Sequence, residues 1–440
     1  MAEERTFYEV LKHTDIVRLN VSHGALDEKQ QTIGRIRKIA ARLGRDIAIL
    51  ADLPGPKIRV SKLPSSVPLK RGQKITMCYY KRASGNDLPT DFDMYPGMKV
   101  GSEVSIGDGE PKLTVVSVSK GKITCKALQD GVIGSRKGIN GKGSSITAEP
   151  PTPEDIKFAK FARKNNLDFI ALSFVKSASN ISKIRRIAGG MGIISKIERQ
   201  EAIDDIENIA RVSDGIMIAR GDMALNIDFN RVPLTQDRII QVCREAKKPV
   251  IVATQMLASM TQNASPTRAE MTDVAHAVKS GADCVMLSDE TAVGIHPIEA
   301  VLTLSSILSY TEDEMPYDFS MRKRADSGHE GIALAAASIS HTCDMGCIFV
   351  PTDTGTTVRM LSGLRPASMI VALSDSERLR RSLSLYYAVK GATMPKHNGS
   401  GLEPGVRSYA KKLGLKSYML VYGHKNTIST NDAIQCFWGK

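Results

Sequence analysis

The stretch GIISKIERQEAIDDIENIARVSDGIMIARGD, residues 192–222, decides the fold of this chain. It begins and ends with short apolar runs, GIISKIE (192–198) and GIMIARGD (215–222), whose β-branched residues favour β-strands. The segment between the two runs is amphipathic and has the length of a helix. A strand, a helix and a second strand in this order predict a parallel βα unit.

Five more runs of the same kind occur along the chain. They are IVRLNV (16–21), IAILAD (47–52), DFIALSF (168–174), VIVATQ (250–255) and CVMLSDE (284–290). Each run is apolar at its start and polar or charged at its end. Seven such units predict a parallel β/α barrel, in which the carboxyl ends of the strands form the rim that carries the active site.

The polar residues at these strand ends are therefore candidates for one shared site. They are Arg18, Asn20, Asp52, Ser173, Lys196, Glu198, Asp222, Thr254 and Glu290. Solvation of a strand end or capping of a helix is the usual explanation of any single polar residue there. Seven strand ends in register are harder to explain in that way.

Two further segments depart from the barrel pattern. Residues 61–147 are rich in Gly, Lys, Val and Thr, and they contain three runs typical of antiparallel strands: KITMCYY (74–80), KLTVVSV (112–118) and KITCKAL (122–128). The polar stretch 311–330 resembles a linker, and a new βα series follows it with CIFVPTDTGTT (347–357), SMIVALSD (368–375) and SYMLVYG (417–423). The second series predicts a doubly wound α/β domain.

The expected organisation has three parts. Residues 1–60 and 148–312 form the catalytic (β/α) barrel, residues 61–147 form a small β-barrel lid inserted at its rim, and residues 329–440 form a C-terminal α/β regulatory domain. A chain of 440 residues with 42% apolar and 24% charged residues has the length and composition of a globular protein of two or three domains.

Composition also bears on the compartment and the partners. The seven cysteines are scattered without a CxxC pair, which is typical of reduced thiols in the cytoplasm. Neither a signal peptide nor an apolar run of about 20 residues is visible, so we expect no membrane association. The net charge of +13 favours anionic ligands. Because the basic residues are dispersed and aromatic residues make up 5%, we expect no nucleic-acid binding.

A magnesium site is the first chemical prediction. Mg²⁺ prefers carboxylate oxygens and completes its shell with water and substrate phosphate. Glu198 and Asp222 end neighbouring strands and can supply two such ligands, although each alone could be an ordinary surface acid. Gly221 directly before Asp222 allows a substrate to approach the backbone closely.

Basic and hydroxyl side chains complete the predicted site. Lys196 lies two residues before the first of these acids, so both point to the same face of the strand. An ammonium there suits charge stabilisation on a transferring phosphoryl group or an enolate oxygen, whereas alone it would more often form a structural salt bridge. Arg18 and Arg59 can bind phosphate oxygens with their guanidinium forks. Thr254 and Ser288 could position a water or proton donor, or could cap helices.

At this point the sequence resembles the pyruvate kinase family over nearly its whole length. The order and spacing of nine stretches carry the resemblance: RLNVSHG (18–24), ADLPGPKIR (51–59), GSRKGIN (134–140), ALSFV (171–175), ISKIE (194–198), DGIMIARGDMA (214–224), ATQML (253–257), SPTRAEMTDVAHAV (265–278) and GADCVMLSDETAVG (281–294). The resemblance implies transfer of a phosphoryl group from phosphoenolpyruvate to ADP, giving ATP and an enolate that is protonated to pyruvate. It also implies a homotetramer.

The resemblance assigns roles to the motif positions. Glu198 and Asp222 would bind Mg²⁺ or Mn²⁺, and Lys196 and Arg59 would hold the moving phosphoryl group. The remaining substrate contacts would come from Ser173, Arg18 and the segment Ala219, Arg220, Gly221 and Asp222, whose backbone would receive the substrate carboxylate. Enolate protonation would take place beside Thr254, Ser288 and Glu290. Nucleotide phosphates would meet Arg18, Asn20, Arg59, Arg136 and Lys137.

Two departures from the family pattern carry further expectations. The family's first barrel strand and its Gly-Pro turn are absent before residue 16, so we expect seven barrel strands rather than eight unless another segment closes the barrel, and part of the nucleotide site would be lost with that turn. Members that require K⁺ carry Glu where this chain has Lys57, and Asn20, Ser22 and Asp52 match their K⁺ ligands. We expect the ammonium of Lys57 to substitute for the cation, so that K⁺ is not required. A solvated lysine is the alternative.

The third domain and the rival functions remain open at this stage. Thr352, Thr354, Gly355, Thr356 and Thr357 resemble the loop with which relatives bind a phosphorylated effector, but a plain turn with an N-cap explains them equally well. The family's final effector loop is not clearly present in YGHKNTISTND (422–432). The rival functions are another Mg²⁺-dependent enolate enzyme on the same barrel, and a regulatory homologue without turnover.

Overall fold

A computed structural model describes residues 2–22, 24–107, 109–142, 149–315, 325, 327–395, 402–422 and 433–438. The chain begins with the first part of the barrel, α1 (Ala2–Lys12), β1 (Ile16–Asn20), α2 (Leu26–Leu43) and β2 (Ala48–Asp52). The inserted lid contains the strands β3 (Val67–Leu69), β4 (Lys74–Tyr79), β5 (Leu88–Thr90), β6 (Glu103–Ile106), β7 (Lys112–Ser119), β8 (Lys122–Ala127), β9 (Gly131–Ile133) and β10 (Ile139–Lys142).

The barrel resumes after the lid, and the C-terminal domain follows it. The barrel elements are α3 (Pro153–Lys164), β11 (Phe169–Leu172), α4 (Ala178–Ala188), β12 (Gly192–Ile197), α5 (Gln200–Asp204), α6 (Ile206–Val212), β13 (Gly215–Ala219), α7 (Arg220–Asn226), α8 (Val232–Glu245), β14 (Val250–Ala253), α9 (Arg268–Ser280), β15 (Cys284–Met286), α10 (Asp289–Ala292) and α11 (Pro297–Glu314). The C-terminal elements are α12 (Gly328–Thr342), β16 (Cys347–Pro351), α13 (Thr356–Gly363), β17 (Met369–Leu373), α14 (Glu377–Leu383), β18 (Val389–Ala392), α15 (Glu403–Lys412), β19 (Ser417–Tyr422) and β20 (Ala433–Trp438).

The seven predicted barrel strands form one parallel sheet in the order β1-β2-β11-β12-β13-β14-β15. Alternate residues face opposite sides, so that Ile49 and Ala51 of β2 pack against the helices while Ala48 and Leu50 fill the interior. The outermost strands β1 and β15 are only half-buried, whereas the strands between them are buried. Within the described part of the chain the sheet is thus an open barrel, and the predicted fold class is confirmed.

Six of the seven strands end before their apolar runs do, and in two of them the end of the run is helical. The run 215–222 leaves the sheet at Ala219, and α7 begins at Arg220, so Asp222 lies in the first turn of a helix rather than at a strand end. Likewise β15 ends at Met286, and Glu290 lies in the short helix α10. The sequence pattern missed both helices because polar residues at a strand end do not show which way the chain turns.

The lid and the C-terminal domain each have their own core. In the lid, β4, β7 and β8 are antiparallel, as the three runs predicted, and a sheet in the order β10-β6-β7-β8-β4-β5 lies next to the ribbon β3-β9. The C-terminal sheet has the order β18-β17-β16-β19-β20, with only β20 antiparallel, and hydrophobic clusters cover both of its faces. The segment 311–330 is not all linker, because α11 extends to Glu314 and α12 begins at Gly328.

The C-terminal domain docks onto the amino-terminal ends of the barrel strands through charged side chains. On α14, Arg381 Nε lies 2.8 Å from Asp168 Oδ1 and Arg380 Nε lies 2.8 Å from Asp46 Oδ2. Asp168, whose side chain is fully buried, also accepts hydrogen bonds from the Ile49 N–H and from Arg37. Buried carboxylates that are fully hydrogen-bonded hold a fixed geometry, so α14 is anchored at the base of the barrel.

None of the described helices combines the length and the apolar character needed to cross a lipid bilayer.

Replacement Arg381→Met tests this docking. It removes a charged donor from the buried carboxylate of Asp168, and we expect a loss of about 1–3 kcal/mol in the free energy of unfolding. The control is Arg238→Met, because Arg238 and Glu207 form an exposed pair at 3.4 Å that contributes about 0.5 kcal/mol or less. Thermal denaturation followed by circular dichroism should therefore show a larger drop in Tm for R381M. Equal shifts would contradict the anchoring role.

Candidate active site

Lys196 is the centre of the charged cluster at the barrel rim. Its ammonium lies 3.1 Å from Asp52 Oδ1 and 3.0 Å from Glu198 Oε1, and it donates a hydrogen bond of 2.9 Å to Ser173 Oγ. Burial by itself lowers the pKa of Lys196, but the charges of Asp52, Glu198 and Asp222 outweigh burial and raise it. The lysine is therefore a permanent positive charge shielded from water.

Asp52 connects this lysine to the first strand of the sheet. The parallel register places Asp52 beside Asn20 of β1 and Ala171 of β11. Its Oδ2 accepts two hydrogen bonds from the guanidinium of Arg18, at 2.9 and 2.6 Å. Burial favours protonation of Asp52, yet Lys196 and Arg18 together hold its pKa below the ordinary value. The carboxylate thus stays ionised between two cations.

Glu198 is buried and has one carboxylate oxygen without a hydrogen bond. Its Oε2 accepts the N–H of Phe174 at 2.6 Å, but Oε1 makes only the 3.0 Å ion-pair contact with Lys196, and no group in the described part of the chain donates a hydrogen bond to it. Burial raises the pKa of Glu198, and the neighbouring charge of Asp222 adds to this, while Lys196 opposes it. An under-coordinated buried carboxylate oxygen is the feature expected of a metal ligand.

A divalent ion fits this donor set. Asp222 Oδ1 receives an ion pair of 2.7 Å from Lys57, and its charge acts on both Glu198 and Lys196. The two carboxylates do not form a cage, since no group of three or more metal-binding side chains occurs among the described residues. Mg²⁺ is commonly held by one or two carboxylates and completes its shell with water and phosphate oxygens. Glu198 and Asp222 match that pattern.

The turns after β13 and β14 are held together by Thr254 and Arg220. The hydroxyl of Thr254 accepts the N–H of Gly221 at 2.8 Å and donates to the Ala253 carbonyl. Arg220 donates to both carboxylate oxygens of Asp273, at 2.7 and 2.6 Å, and to the Thr254 carbonyl at 2.8 Å. Thr254 has φ 70°, a strained conformation that these bonds stabilise. The guanidinium of Arg220 is therefore engaged by Asp273 and by the carbonyls of Thr254 and Gln255, and it braces the turn.

Glu290 and Ser288 also lie at the rim. Glu290 is buried, and its two oxygens accept the N–H groups of Leu257 at 3.1 Å and Ser288 at 2.7 Å. Because both carboxylate oxygens are engaged by the backbone, this residue ties the β14 and β15 loops together. Its predicted part in protonation is then one of positioning, whereas Ser288 is half-buried and directly precedes α10.

The lid reaches this rim through Arg59 and the β9–β10 turn. Arg59 pairs with Gly138 in an isolated bridge, and its guanidinium donates to the carbonyl of Arg136 at 3.2 Å. A Cβ on Gly138 would lie 2.9 Å from Lys57 Cε, so the lid backbone lies close to the end of that flexible side chain. Arg136 and Lys137 are exposed on the same turn. The lid turn next to Arg59 and Lys57 therefore carries two exposed cations.

The residues predicted to form the monovalent-cation position make two separate sets of contacts in the structure. Lys57 contacts Asp222, while Asn20 Oδ1 accepts the N–H of Ser22 at 3.1 Å and the Asn20 carbonyl accepts from Lys29 at 2.8 Å. Burial lowers the pKa of Lys29, which Glu28 opposes. Sequence reasoning missed both the Lys29 contact and the direct pairing of Lys57 with Asp222.

Comparison with known proteins decides which family this geometry belongs to. The family model described as pyruvate kinase, barrel domain, matches residues 7–301, and the model described as pyruvate kinase, alpha/beta domain, matches residues 330–432. The chain belongs to the pyruvate kinase family. It is 38% identical to a pyruvate kinase of Agrobacterium vitis over 390 residues, covering 87% of this chain and 81% of that protein. Members of the family are phosphotransferases, and the chain is an enzyme of this type.

Other pyruvate kinases show the same likeness in sequence and in structure. A pyruvate kinase of Thermococcus litoralis is 36% identical over 390 residues, covering 85% of this chain and 82% of the relative. The crystal structure of a pyruvate kinase from Cryptosporidium parvum superposes with a TM-score of 0.91 at 32% identity, covering 99% of this chain and 93% of that chain. The family assignment thus rests on both domains and on the whole fold.

The loop that resembles a pyruvate kinase effector site is closed by its own hydroxyls. Thr352 Oγ1 accepts the N–H of Gly355 at 2.8 Å, and Thr354 and Thr356 join their hydroxyls at 3.0 Å ahead of α13. Thr352 and Thr357 are buried, so the exposed hydroxyls are those of Thr354 and Thr356. These hydrogen bonds are those of an ordinary turn, so effector binding at this loop stays a prediction. In the second candidate loop, 422–432, residues 423–432 lie outside the described residues.

Two acids that support the pyruvate kinase site had no signal in the residue pattern. Asp273, which braces Arg220, is one polar residue among several on α9, and only the family motif around it marks it. Asp155 Oδ1 accepts the N–H of Gly55 at 2.9 Å and so fixes the turn after β2. Asp273 acts on a side chain 53 residues away and Asp155 acts on backbone 100 residues away, and a local pattern does not reveal either contact.

Gly55 gives a sharp test of how closely the rim is packed. It has φ +65°, and an added Cβ would lie 2.7 Å from Ser173 Cβ, next to the Lys196 cluster. Gly44 is the matched control, because it has φ +63° and nothing within 4 Å of the same position. Both Gly→Ala replacements cost about 1–2 kcal/mol for the left-handed backbone. We expect only Gly55→Ala to lower Tm further and to reduce kinase activity; equal effects would show that the rim tolerates the extra carbon.

Proposed function

We propose that this chain transfers the phosphoryl group of phosphoenolpyruvate to ADP, giving ATP and pyruvate. The observation that carries the proposal is the buried ammonium of Lys196, held at the barrel rim between Asp52 and Glu198 with the charge of Asp222 beside it. A fixed positive charge in a site of low dielectric stabilises a phosphoryl group in transfer far better than the same charge in water.

Glu198 and Asp222 are proposed to hold a Mg²⁺ or Mn²⁺ ion. When bound, the ion supplies positive charge to the phosphate and enolate oxygens. The oxygens proposed for it are Glu198 Oε1, which lies 3.0 Å from the Lys196 ammonium, and those of the partly exposed Asp222. The chain's own part is to orient both carboxylates, Glu198 through the Phe174 N–H and the Lys196 ammonium, and Asp222 through the ammonium of Lys57.

The substrate is proposed to lie between the α7 turn and the lid. Ala219, Arg220, Gly221 and Asp222 receive the carboxylate through the backbone, with Thr254 fixing the turn and Ser173 supporting Lys196. As the bond from the enol oxygen to phosphorus breaks, a bond forms to the terminal phosphate of ADP. The enolate carbon then takes a proton from the side lined by Thr254 and Ser288, through water. Glu290 keeps these two loops together.

Nucleotide phosphates are proposed to meet cations from the sheet and the lid. Arg18 and Asn20 lie on β1, Arg59 lies between β2 and the lid strands, and Arg136 and Lys137 lie exposed on the lid turn. Arg18 is already committed to Asp52 by two hydrogen bonds, so its contribution to ADP is shared with that carboxylate. A homotetrameric assembly and a phosphorylated effector at Thr352 to Thr357 belong to the same proposal.

Replacement Lys196→Met tests the reaction. We expect kcat for ATP formation from phosphoenolpyruvate and ADP, in a coupled assay, to fall by about 10²–10³-fold or more, because the variant lacks the charge that stabilises the moving group. Lys160→Met, on the exposed face of α3, should leave kcat unchanged. Circular dichroism shows whether the variant is folded. A wild type no faster than K196M would refute the proposal, and consumption of phosphoenolpyruvate without ADP would favour another enolate enzyme.

Lys57 is proposed to replace the monovalent cation that many relatives require. Its ammonium lies 2.7 Å from Asp222, so a positive charge is built into the rim beside the proposed metal ligands. We expect activity in tetramethylammonium buffer to stay within about twofold when KCl is added, because one bound K⁺ and one ammonium carry the same charge. Lys57→Glu should lower activity and make it respond to KCl. A many-fold activation of the wild type by KCl would show that Lys57 is only a solvated partner of Asp222.

A further inference from the structure

A cavity of about 550 Å³ lies at the base of the barrel, at the opposite end of the strands from the rim. Its barrel side includes Phe169 and Gly192, which begin β11 and β12, and Lys248, which precedes β14. Its other side is formed by Arg359 on α13 and by α14 of the C-terminal domain. The volume lies within the range typical of sites for metabolite-sized ligands.

The charges that line this cavity do not balance. The lining contains five basic residues and two acidic ones, namely Arg185, Lys247, Lys248, Arg359 and Arg378, with Asp168 and Asp214. Both acids are already neutralised, Asp168 by Arg37 and Arg381, and Asp214 by Arg185 at 2.7 Å. Lys247 pairs with Glu330 at 3.0 Å. Three cations remain.

Lys248, Arg359 and Arg378 have no carboxylate partner in the described part of the chain. Lys248 donates only to the Ser213 carbonyl, at 2.6 Å, and Arg359 lies 5.7 Å from the ring centre of Tyr386. Arg378 is exposed next to Gly190. Burial lowers the pKa of Lys248, Arg185 and Arg359 lower it further, and Asp214 opposes them. Uncompensated cations that converge from two domains repel one another, and a bound anion would relieve that repulsion.

The cavity also has an apolar wall. Phe169 of the barrel, Leu379 of α14 and Leu385 and Tyr386 just beyond it line the same space as the cations. A bare inorganic ion would leave this wall unused. A ligand with an anionic head and a bulkier, less polar body would use both parts, and guanidinium groups match phosphate oxygens in geometry.

We propose that this cavity binds a small organic phosphate of metabolite size, with its phosphate held by Lys248, Arg359 and Arg378. Such a ligand contacts both domains, so it strengthens the docking of α14 that Arg380 and Arg381 already provide. The Thr352 to Thr357 loop contributes none of the residues that line the cavity, although Arg359 Nη2 lies 3.4 Å from the position that a Cβ on Gly355 would take. Binding can be measured without turnover, so the outcome does not depend on the catalytic proposal.

The test is calorimetric titration of the full chain with glucose 6-phosphate, AMP and inorganic phosphate. We expect at least one of the two organic phosphates to bind once per chain and more tightly than inorganic phosphate. Arg378→Met and Lys248→Met should each weaken that binding about tenfold or more, the usual effect of losing one charge-assisted hydrogen bond. Because Arg378 is exposed, its replacement should not disturb folding even if the Lys248 variant is unstable.

Two control variants separate this site from other basic or phosphate-binding surfaces. Lys412→Met removes an exposed lysine from α15 of the same domain, and Thr356→Val removes a hydroxyl of the candidate effector loop. Neither should change the affinity by more than about twofold, since neither residue lines the cavity. The proposal is overturned if neither organic phosphate binds at millimolar concentration, if inorganic phosphate binds as tightly, or if R378M binds like the wild type.

Discussion

Burial of the Lys196 ammonium between two carboxylates is the constraint on which the rest of the rim depends. Moving such ions out of water costs several kcal/mol each, and the cost is recovered only when every partner is in place. Asp52 at the end of β2 and Glu198 directly after β12 therefore both have to contact the Lys196 ammonium. The same ammonium donates a hydrogen bond to Ser173, which follows the strand between them. The parallel register of the sheet delivers them there, because Leu172 pairs with Ser195 and Ala171 with Asp52.

The same physics fixes the loops that surround this cluster. Phe174 and Thr254 have positive φ values of 55° and 70°, which side-chain-bearing residues rarely adopt. Glu198 accepts a hydrogen bond from the N–H of Phe174. Arg220 donates to the carbonyl of Thr254, and Asp273 neutralises the charge of Arg220. Buried charges thus stabilise strained backbone, so the polar groups of the rim are oriented before any substrate arrives.

Much of the fold could be read from local pattern, and much of the pairing within the site could not. Apolar runs located the seven barrel strands, and the two-residue period of a strand placed Lys196 and Glu198 on one face. The pairing of Lys57 with Asp222 joins residues 165 apart, and it depends on how α7 leaves the sheet. A polar strand end looks the same whether the chain continues as a loop or as a helix, so the position of Asp222 was assigned to the wrong element.

The net positive charge also shows what the sequence alone does not reveal about ligand binding. A net charge of +13 indicated anionic ligands in general, yet Arg380, Arg381 and Lys247 are counter-ions of acids at the domain boundary. Once these pairs are assigned, Lys248, Arg359 and Arg378 are the cavity cations that have no carboxylate partner in the described part of the chain. Because α14 carries both the docking arginines and Arg378, a shift of this helix would alter the domain contact and the cavity together.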